Sequence, residues 1–240
     1  MQPLIQLDRV GMRYGAGPEV LSDLTVSIPA GSFHFVKGPS GAGKSSLLRL
    51  LHLAYRPARG SLTLFGRDVS ALGRRALPPL RRRIGMVFQD FRLIGHLSAL
   101  DNVTLPLRLA GFRDDQYRGH VVELLRWVGL GDRIGARPAE LSGGEQQRLA
   151  IARAVVTKPD LLMADEPTGN VDDQAGARLI RLFEELNRHG TTVIVATHSG
   201  ALVERFDHPV LELLDGRLVG APVPAAPAAP DADSGAGAAA

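Results

Sequence analysis

The eight residues Gly38-Pro39-Ser40-Gly41-Ala42-Gly43-Lys44-Ser45 constrain this chain more than any other stretch. They match the spacing G-x-x-x-x-G-K-[ST] at every fixed position. An apolar run, FHFVK at 33–37, precedes them, and SSLLRLLHL follows with helix-spaced leucines. The glycines let the backbone curl so that successive N–H groups point inward at phosphate oxygens. Lys44 adds charge near the β- and γ-phosphates, and the Ser45 hydroxyl can ligate Mg²⁺. A helix expected from about Lys44 to Leu53 adds the positive end of its dipole. Strand, glycine loop and helix in this order point to an α/β fold.

The rest of the chain repeats that alternation. LIQLDRV, LTVSI and GSLTLFGRDV read as strands separated by turn-forming stretches. IGMVFQD at 84–90, DLLMADEP at 160–167 and TTVIVATHS at 191–199 are short apolar runs that each end in polar residues. Between them, residues 97–158 carry helix-spaced apolar positions with glycine stops, and AGARLIRLFEELNRHG reads as an amphipathic helix. VLELLDGRLVG at 210–220 suggests a hairpin around Asp215-Gly216. Strands alternating with helices imply a mainly parallel sheet with its functional loops at the strand carboxyl ends. The glycine loop, Gln89, Asp165-Glu166 and His198 fall at four such ends.

Each polar end has a chemistry. Asp165 can hold Mg²⁺ directly or through water, as in other phosphate-loop NTPases. Glu166, on the other side of the strand, can orient or deprotonate an attacking water. The Gln89 amide can reach the metal or the water. His198 can donate a hydrogen bond to the γ-phosphate, although a lone histidine at a strand end is more often structural.

A second phosphate-type signal stands about a hundred residues away. LSGGEQQR at 141–148 reads as a helix start, with Ser142 as cap and Glu145 completing a capping box. Its two glycines leave backbone N–H groups uncovered, and a helix N-terminus of that kind attracts phosphate.

Composition sets the bounds. The 240 residues suffice for one domain with a substantial core and leave room for an inserted subdomain. No apolar run approaches the roughly 18–20 residues needed to span a bilayer, and the N-terminus lacks a signal-peptide layout. With no cysteine, disulfides and thiolate metal sites are excluded. A net charge of +3 is too small to mark a nucleic-acid binder. The basic cluster LRRRIG at 80–85 reads as a solvated loop or helix end.

Taken together, these residues resemble the ATP-binding subunits of ABC transporters over about residues 2–220. GPSGAGKS looks like Walker A, LSGGEQQ like the family signature and LLMADEP like Walker B. Gln89 is similar to the Q-loop glutamine, His198 to the switch histidine, and GNVD at 169–172 to the D-loop, with Asp172 as its acid. The resemblance implies an ABC-type P-loop NTPase: a RecA-like, mainly parallel core sheet, an N-terminal antiparallel β subdomain and a helical subdomain inserted at about 92–158. Residues 221–240, rich in alanine and proline, are expected to be a disordered tail. ATP and Mg²⁺ are the implied cofactors. Glu166, His198 and Lys44 would be catalytic. Nucleotide contacts would come from Tyr14 stacked on adenine, from Gly38, Pro39, Ser40, Gly41, Ala42, Gly43, Lys44, Ser45 and Ser46, and from Gln89, Ser142, Gly143, Gly144 and Asp172. Ser45, Gln89 and Asp165 would meet the metal. In this family two copies pack head to tail, and each ATP on one chain's Walker A is capped by the other chain's signature. Dimerisation would thus explain two phosphate signals in one chain. One departure is Ser199, where the family often has an acid after the histidine; serine can still cap a following helix.

Longer runs, among them LRRRIGMVFQDFRLI and LDNVTLPLRLAG, resemble the bacterial cell-division branch of that family. This likeness implies an FtsX-like integral membrane permease as partner, a peripheral position on the cytoplasmic face of the inner membrane, and control of peptidoglycan hydrolases. The ATPases of lipoprotein-release and macrolide-type exporters share most of the motifs and stand as the alternative. Chromosome and DNA-repair ATPase heads are split by long heptad coiled coils, which this sequence lacks, so no nucleic-acid partner is expected.

Overall fold

The computed structural model describes residues 3–169 and 173–220. Asp172 and the tail at 221–240 lie outside the described residues. Two sheets organise the rest. The first is antiparallel, built from β1 (Pro3–Arg13), β2 (Glu19–Pro29), β4 (Arg59–Leu64) and β5 (Arg67–Asp68) in the order β2-β1-β4-β5. The second holds β3 (Phe33–Lys37), β6 (Ile84–Val87), β7 (Leu161–Asp165), β8 (Thr192–Thr197), β9 (Val210–Leu214) and β10 (Arg217–Val219) in the order β10-β9-β3-β8-β7-β6. Pairing is parallel from β9 through β6, and only β10 runs antiparallel. Every residue of β6, β7 and β8 is buried, which is why these strands read as unbroken apolar runs rather than alternating ones. The β9–β10 turn uses Asp215 and Gly216, both at positive φ, as a two-residue hairpin requires.

Three apolar clusters fill the molecule. Helix α1 (Lys44–Leu51) is packed between the two sheets through Leu47, Leu48, Leu50 and Leu51, with the short α2 (Leu77–Arg81) joining through Leu77 and Leu80. On the other face of the parallel sheet, α6 (Asp173–Arg188) contributes Ile180 and Phe183, and α7 (Gly200–Arg205) contributes Leu202 and Val203. Helices α3 (Ala99–Leu109), α4 (Asp114–Trp127) and α5 (Gly143–Val155) close on a third cluster around Val103, Val121, Leu125 and Leu149. Helix α5 also packs Ile151 and Val155 into the second cluster, so it joins the helical group to the parallel sheet. The helix expected to run to about Leu53 stops at Leu51; Leu53 has φ +62, which no right-handed helix accommodates.

Candidate nucleotide-hydrolysis site

Sheet order assembles the site. Strands β3, β8, β7 and β6 are parallel neighbours, so their carboxyl ends line one edge in that order. The glycine loop follows β3, His198 follows β8, Asp165 and Glu166 close β7, and Gln89 lies two residues beyond β6. A cavity of about 320 Å³ at this edge is lined by Gly43, Lys44, Ser45, Gln89, Glu166 and His198, among others.

The loop takes its shape from its glycines. Gly43 caps α1 at φ +103, and a Cβ there would sit 2.8 Å from Leu21 Cδ2. The first backbone bond of α1 runs from Leu47 N–H to Gly43 O, which leaves the N–H groups of the first turn for a ligand. Lys44 is buried and folds back over the loop. Its Nζ donates to Gly38 O at 2.8 Å and to Pro39 O at 3.1 Å.

Two carboxylates leave β7 in different directions. Asp165 Oδ1 accepts from Ser45 Oγ at 3.1 Å, and both residues line a neighbouring cavity of about 410 Å³ with Gln89 and Arg49. Burial pushes the Asp165 carboxyl up, against the Ser45 hydrogen bond that lowers it. A hydroxyl, a desolvated carboxylate and an amide oxygen form a hard oxygen donor set, which fits Mg²⁺. Glu166 points away. Its Oε1 lies 3.2 Å from Lys44 Nζ and its Oε2 lies 2.9 Å from His198 Nδ1. The side chain of Glu166 is only 11% exposed, whereas that of His198 is 59% exposed, so the histidine is the solvent-facing member of the pair. Glu166 holds φ +47, with its N–H bonded to Ala196 O on the neighbouring strand. Ser199 caps α7 by accepting from Leu202 N–H at 3.3 Å, which fixes the chain immediately after His198.

Tyr14 stands at the end of β1 and shares a hydrogen bond of 2.9 Å with the Ser46 hydroxyl. Its ring meets Tyr55 edge-on at 4.9 Å. It therefore flanks the loop and is also packed locally. Ser142, Gly143 and Gly144 line neither cavity. Ser142 caps α5, its Oγ accepting from Glu145 N–H at 3.3 Å while Glu145 Oε2 accepts from Ser142 N–H at 2.8 Å. That N–H and the Ser142 hydroxyl hold the Glu145 carboxyl below the usual range. The N–H groups of Gly143 and Gly144 have no intrahelical acceptor, and a Cβ on Gly143 would meet nothing within 4 Å.

Two residues that brace the site, and a third that braces the 94–98 loop, were not legible in these roles in the sequence. Arg153 on α5 donates from Nη1 to Arg92 O and from Nη2 to Phe91 O, both at 2.6 Å. Phe91 and Arg92 directly follow the Gln89 turn and hold φ +56 and +48. Gln147, also on α5, donates to Pro167 O beside the acidic strand end. Asn102 is fully buried; its Nδ2 donates to the carbonyls of Ile94, Leu97 and Ser98, and its Oδ1 accepts from Ile94 N–H. The helix-start motif signals the beginning of α5, but not which side chains reach other loops.

A phosphate loop, a paired acidic strand end and a capped glycine helix on this two-sheet fold define an ATP-hydrolysing cassette. Residues 21–169 match the ABC transporter family, and the chain belongs to that family as an ATPase subunit. It is similar to the cell division ATP-binding protein FtsE of Escherichia coli (strain K12), with 46% identity over 217 residues, covering 90% of this chain and 98% of that protein. Similarity to the macrolide export ATP-binding/permease protein MacB 1/2 of Paracoccus denitrificans is 42% over 231 residues, covering 95% of this chain but 34% of that protein. Among solved structures, the dimeric post-hydrolysis state of the ATP-binding cassette MJ0796 bound to ADP and Pi matches with a TM-score of 0.81 at 33% identity, covering 89% of this chain and 96% of that one.

Proposed function

We propose that this chain is the ATPase of an FtsE/FtsX-type complex, in which ATP-driven closure of a homodimer acts on an FtsX-like membrane permease to control peptidoglycan hydrolysis in cell division. The observation that carries this reading is the identity to FtsE, which runs through 98% of that protein. Geometry supports the dimer: Ser142 and Gly143 are exposed, Gly144 is half-buried, and all three lie away from their own chain's loop, so they suit the ATP of a second, head-to-tail copy. The dimeric state of MJ0796 supports the same arrangement.

In this reading the loop N–H groups and Lys44 cradle the β- and γ-phosphates, and the partner's signature helix closes over them. Tyr14 stacks on the adenine, and Asp172 of the D-loop completes the interface. Ser45, Asp165 and Gln89 would hold Mg²⁺, which neutralises phosphate charge when bound. Glu166 polarises or deprotonates the attacking water, and His198 donates to the γ-phosphate. Stabilising the spread negative charge of phosphoryl transfer is the main catalytic task. Hydrolysis removes the bridging ligand and the copies separate. The helical group, about residues 92–158, acts as a subdomain that moves with the turn after Gln89 and passes this motion to the permease.

No helix among the described residues is long and apolar enough to cross a membrane. Attachment to the cytoplasmic face of the inner membrane would therefore run through the permease. A groove lined by His52, Phe88, Arg92, Pro106 and Leu109, between the parallel sheet and the helical group, suits a docking segment of that partner. The second reading, an exporter ATPase, is favoured by the 42% identity to MacB. A photo-crosslinking residue at Arg92, followed by mass spectrometry of the captured membrane protein, separates the two. Capture of an FtsX-like permease is expected; capture of an exporter permease would overturn the division role and leave the ATPase chemistry standing.

A further inference from the structure

The segment from Val69 to Gln89 holds five arginines, Arg74, Arg75, Arg81, Arg82 and Arg83, and no acidic residue. It carries five of the chain's 28 basic residues and none of its 25 acidic ones, so the remainder of the chain is slightly acidic. The fold keeps this charge together on the surface. Leu77 and Leu80 bury the inner side of α2, and all five arginines are exposed. The segment is braced as well: Arg81 Nη2 donates to Leu53 O at 2.6 Å, and Arg56 from the loop after α1 donates to Leu72 O. Arg83 pairs with Asp160 at 2.7 Å. Among the described residues, Arg74, Arg75 and Arg82 have no carboxylate within ion-pair distance.

A run that served only solubility would need neither concentration nor bracing. Its neighbours point to a ligand. Arg81 and Arg82 line the same groove as Leu109, which is 72% exposed, and Phe112 just beyond is 53% exposed. The unpaired guanidinium of Arg82 beside exposed Leu109, on a segment that also carries Arg74 and Arg75, matches the surface of an anionic bilayer. Guanidinium forks pair with phosphate oxygens, and apolar side chains reach the headgroup boundary. The arginines are spread over a 3₁₀ turn at Arg74–Ala76, the end of α2 and the residues after it. A lipid surface offers a phosphate to each of them, whereas one acidic peptide would engage one or two.

We propose that this face binds anionic phospholipid headgroups directly, so that the chain touches the membrane in its own right as well as through its permease. The proposal rests on the reading above that this groove takes a segment of the membrane permease, which would bring the arginines beside it close to the bilayer. The test is sedimentation of the full chain with vesicles of phosphatidylcholine alone and vesicles containing phosphatidylglycerol. Binding to the anionic vesicles alone is expected, weakening as salt rises. The combined substitution Arg74→Ala, Arg75→Ala and Arg82→Ala is expected to weaken it on the order of a hundredfold while leaving ATP turnover and thermal midpoint unchanged. Equal binding to both vesicle types, or undiminished binding by the triple variant, overturns the proposal. So does a wild type that ignores vesicles while the triple variant loses a detergent-solubilised permease, which would make this a protein-docking face. The vesicle assay contains no permease, so an exporter captured at Arg92 would leave its result readable.

Discussion

Glu166 is clamped between Lys44 at 3.2 Å and His198 at 2.9 Å, and its backbone is held in the left-handed region by Ala196 on the next strand. A residue held this tightly has one position to offer a water. Substituting Glu166→Gln keeps shape and removes basicity. Turnover is expected to fall about 10²–10⁴-fold, while ATP binding persists and a closed dimer accumulates. Steady-state hydrolysis and size-exclusion chromatography with ATP check this; wild-type turnover would remove Glu166 from its role. Lys44→Ala deletes the charge over the loop and is expected to abolish nucleotide binding in a calorimetric titration. Undiminished affinity would mean the backbone cradle acts without the lysine.

Helix α5 is the element through which separate loops feel each other. Its cap presents Gly143 and Gly144 outward, its middle sends Gln147 to Pro167, and Arg153 near its end holds the carbonyls after Gln89. Burial lowers the affinity of Arg153 for its proton, yet guanidinium stays charged at any ordinary pH, so these carbonyls bond to a cation. Replacing Arg153 with methionine keeps the stem and deletes both bonds. Under the proposed function, a chain is expected that binds ATP normally but loses stimulation of its ATPase by the permease. Unaltered stimulation would show that the turn after Gln89 holds itself. Asn102 does comparable work in α3 with four bonds to the 94–98 loop. Asn102→Ala leaves several buried groups unpaired, and about 3 kcal/mol of stability should be lost in denaturant unfolding. A loss under about 1 kcal/mol would mean that water replaces the amide.

At the scale of the molecule, two histidines set a limit on acid tolerance. Burial first, then the nearby His208, depresses His34; burial first, then Arg81 and Arg92, depresses His52. Both take up a proton less readily in the folded chain than in the unfolded chain, which protonates them near pH 6.5. Below that pH the unfolded state binds more protons, so stability is lost as pH falls and is fully present above it. The thermal midpoint is expected to drop below about pH 6.5, and less steeply in His52→Gln; identical slopes would remove His52 from the account. Much of the architecture is readable in the sequence. The phosphate loop, the buried apolar strands, the Ser142–Glu145 cap and the Asp215-Gly216 hairpin are local, because spacing over a few residues dictates them. Sequence also placed Gln89, Glu166 and His198 at strand ends. Strand order was not local: nothing near Thr192 says that β8 inserts between β3 and β7, and this insertion brings His198 to Glu166. Contacts made by long side chains were equally hidden, since Arg153 meets residues 61 and 62 positions away only after α5 has packed on two cores. By itself the sequence determined which chemistry each strand end carries, because that depends on residue type and short-range spacing. Only the tertiary structure decided which ends become neighbours, because that depends on how the apolar faces of distant elements close on one another.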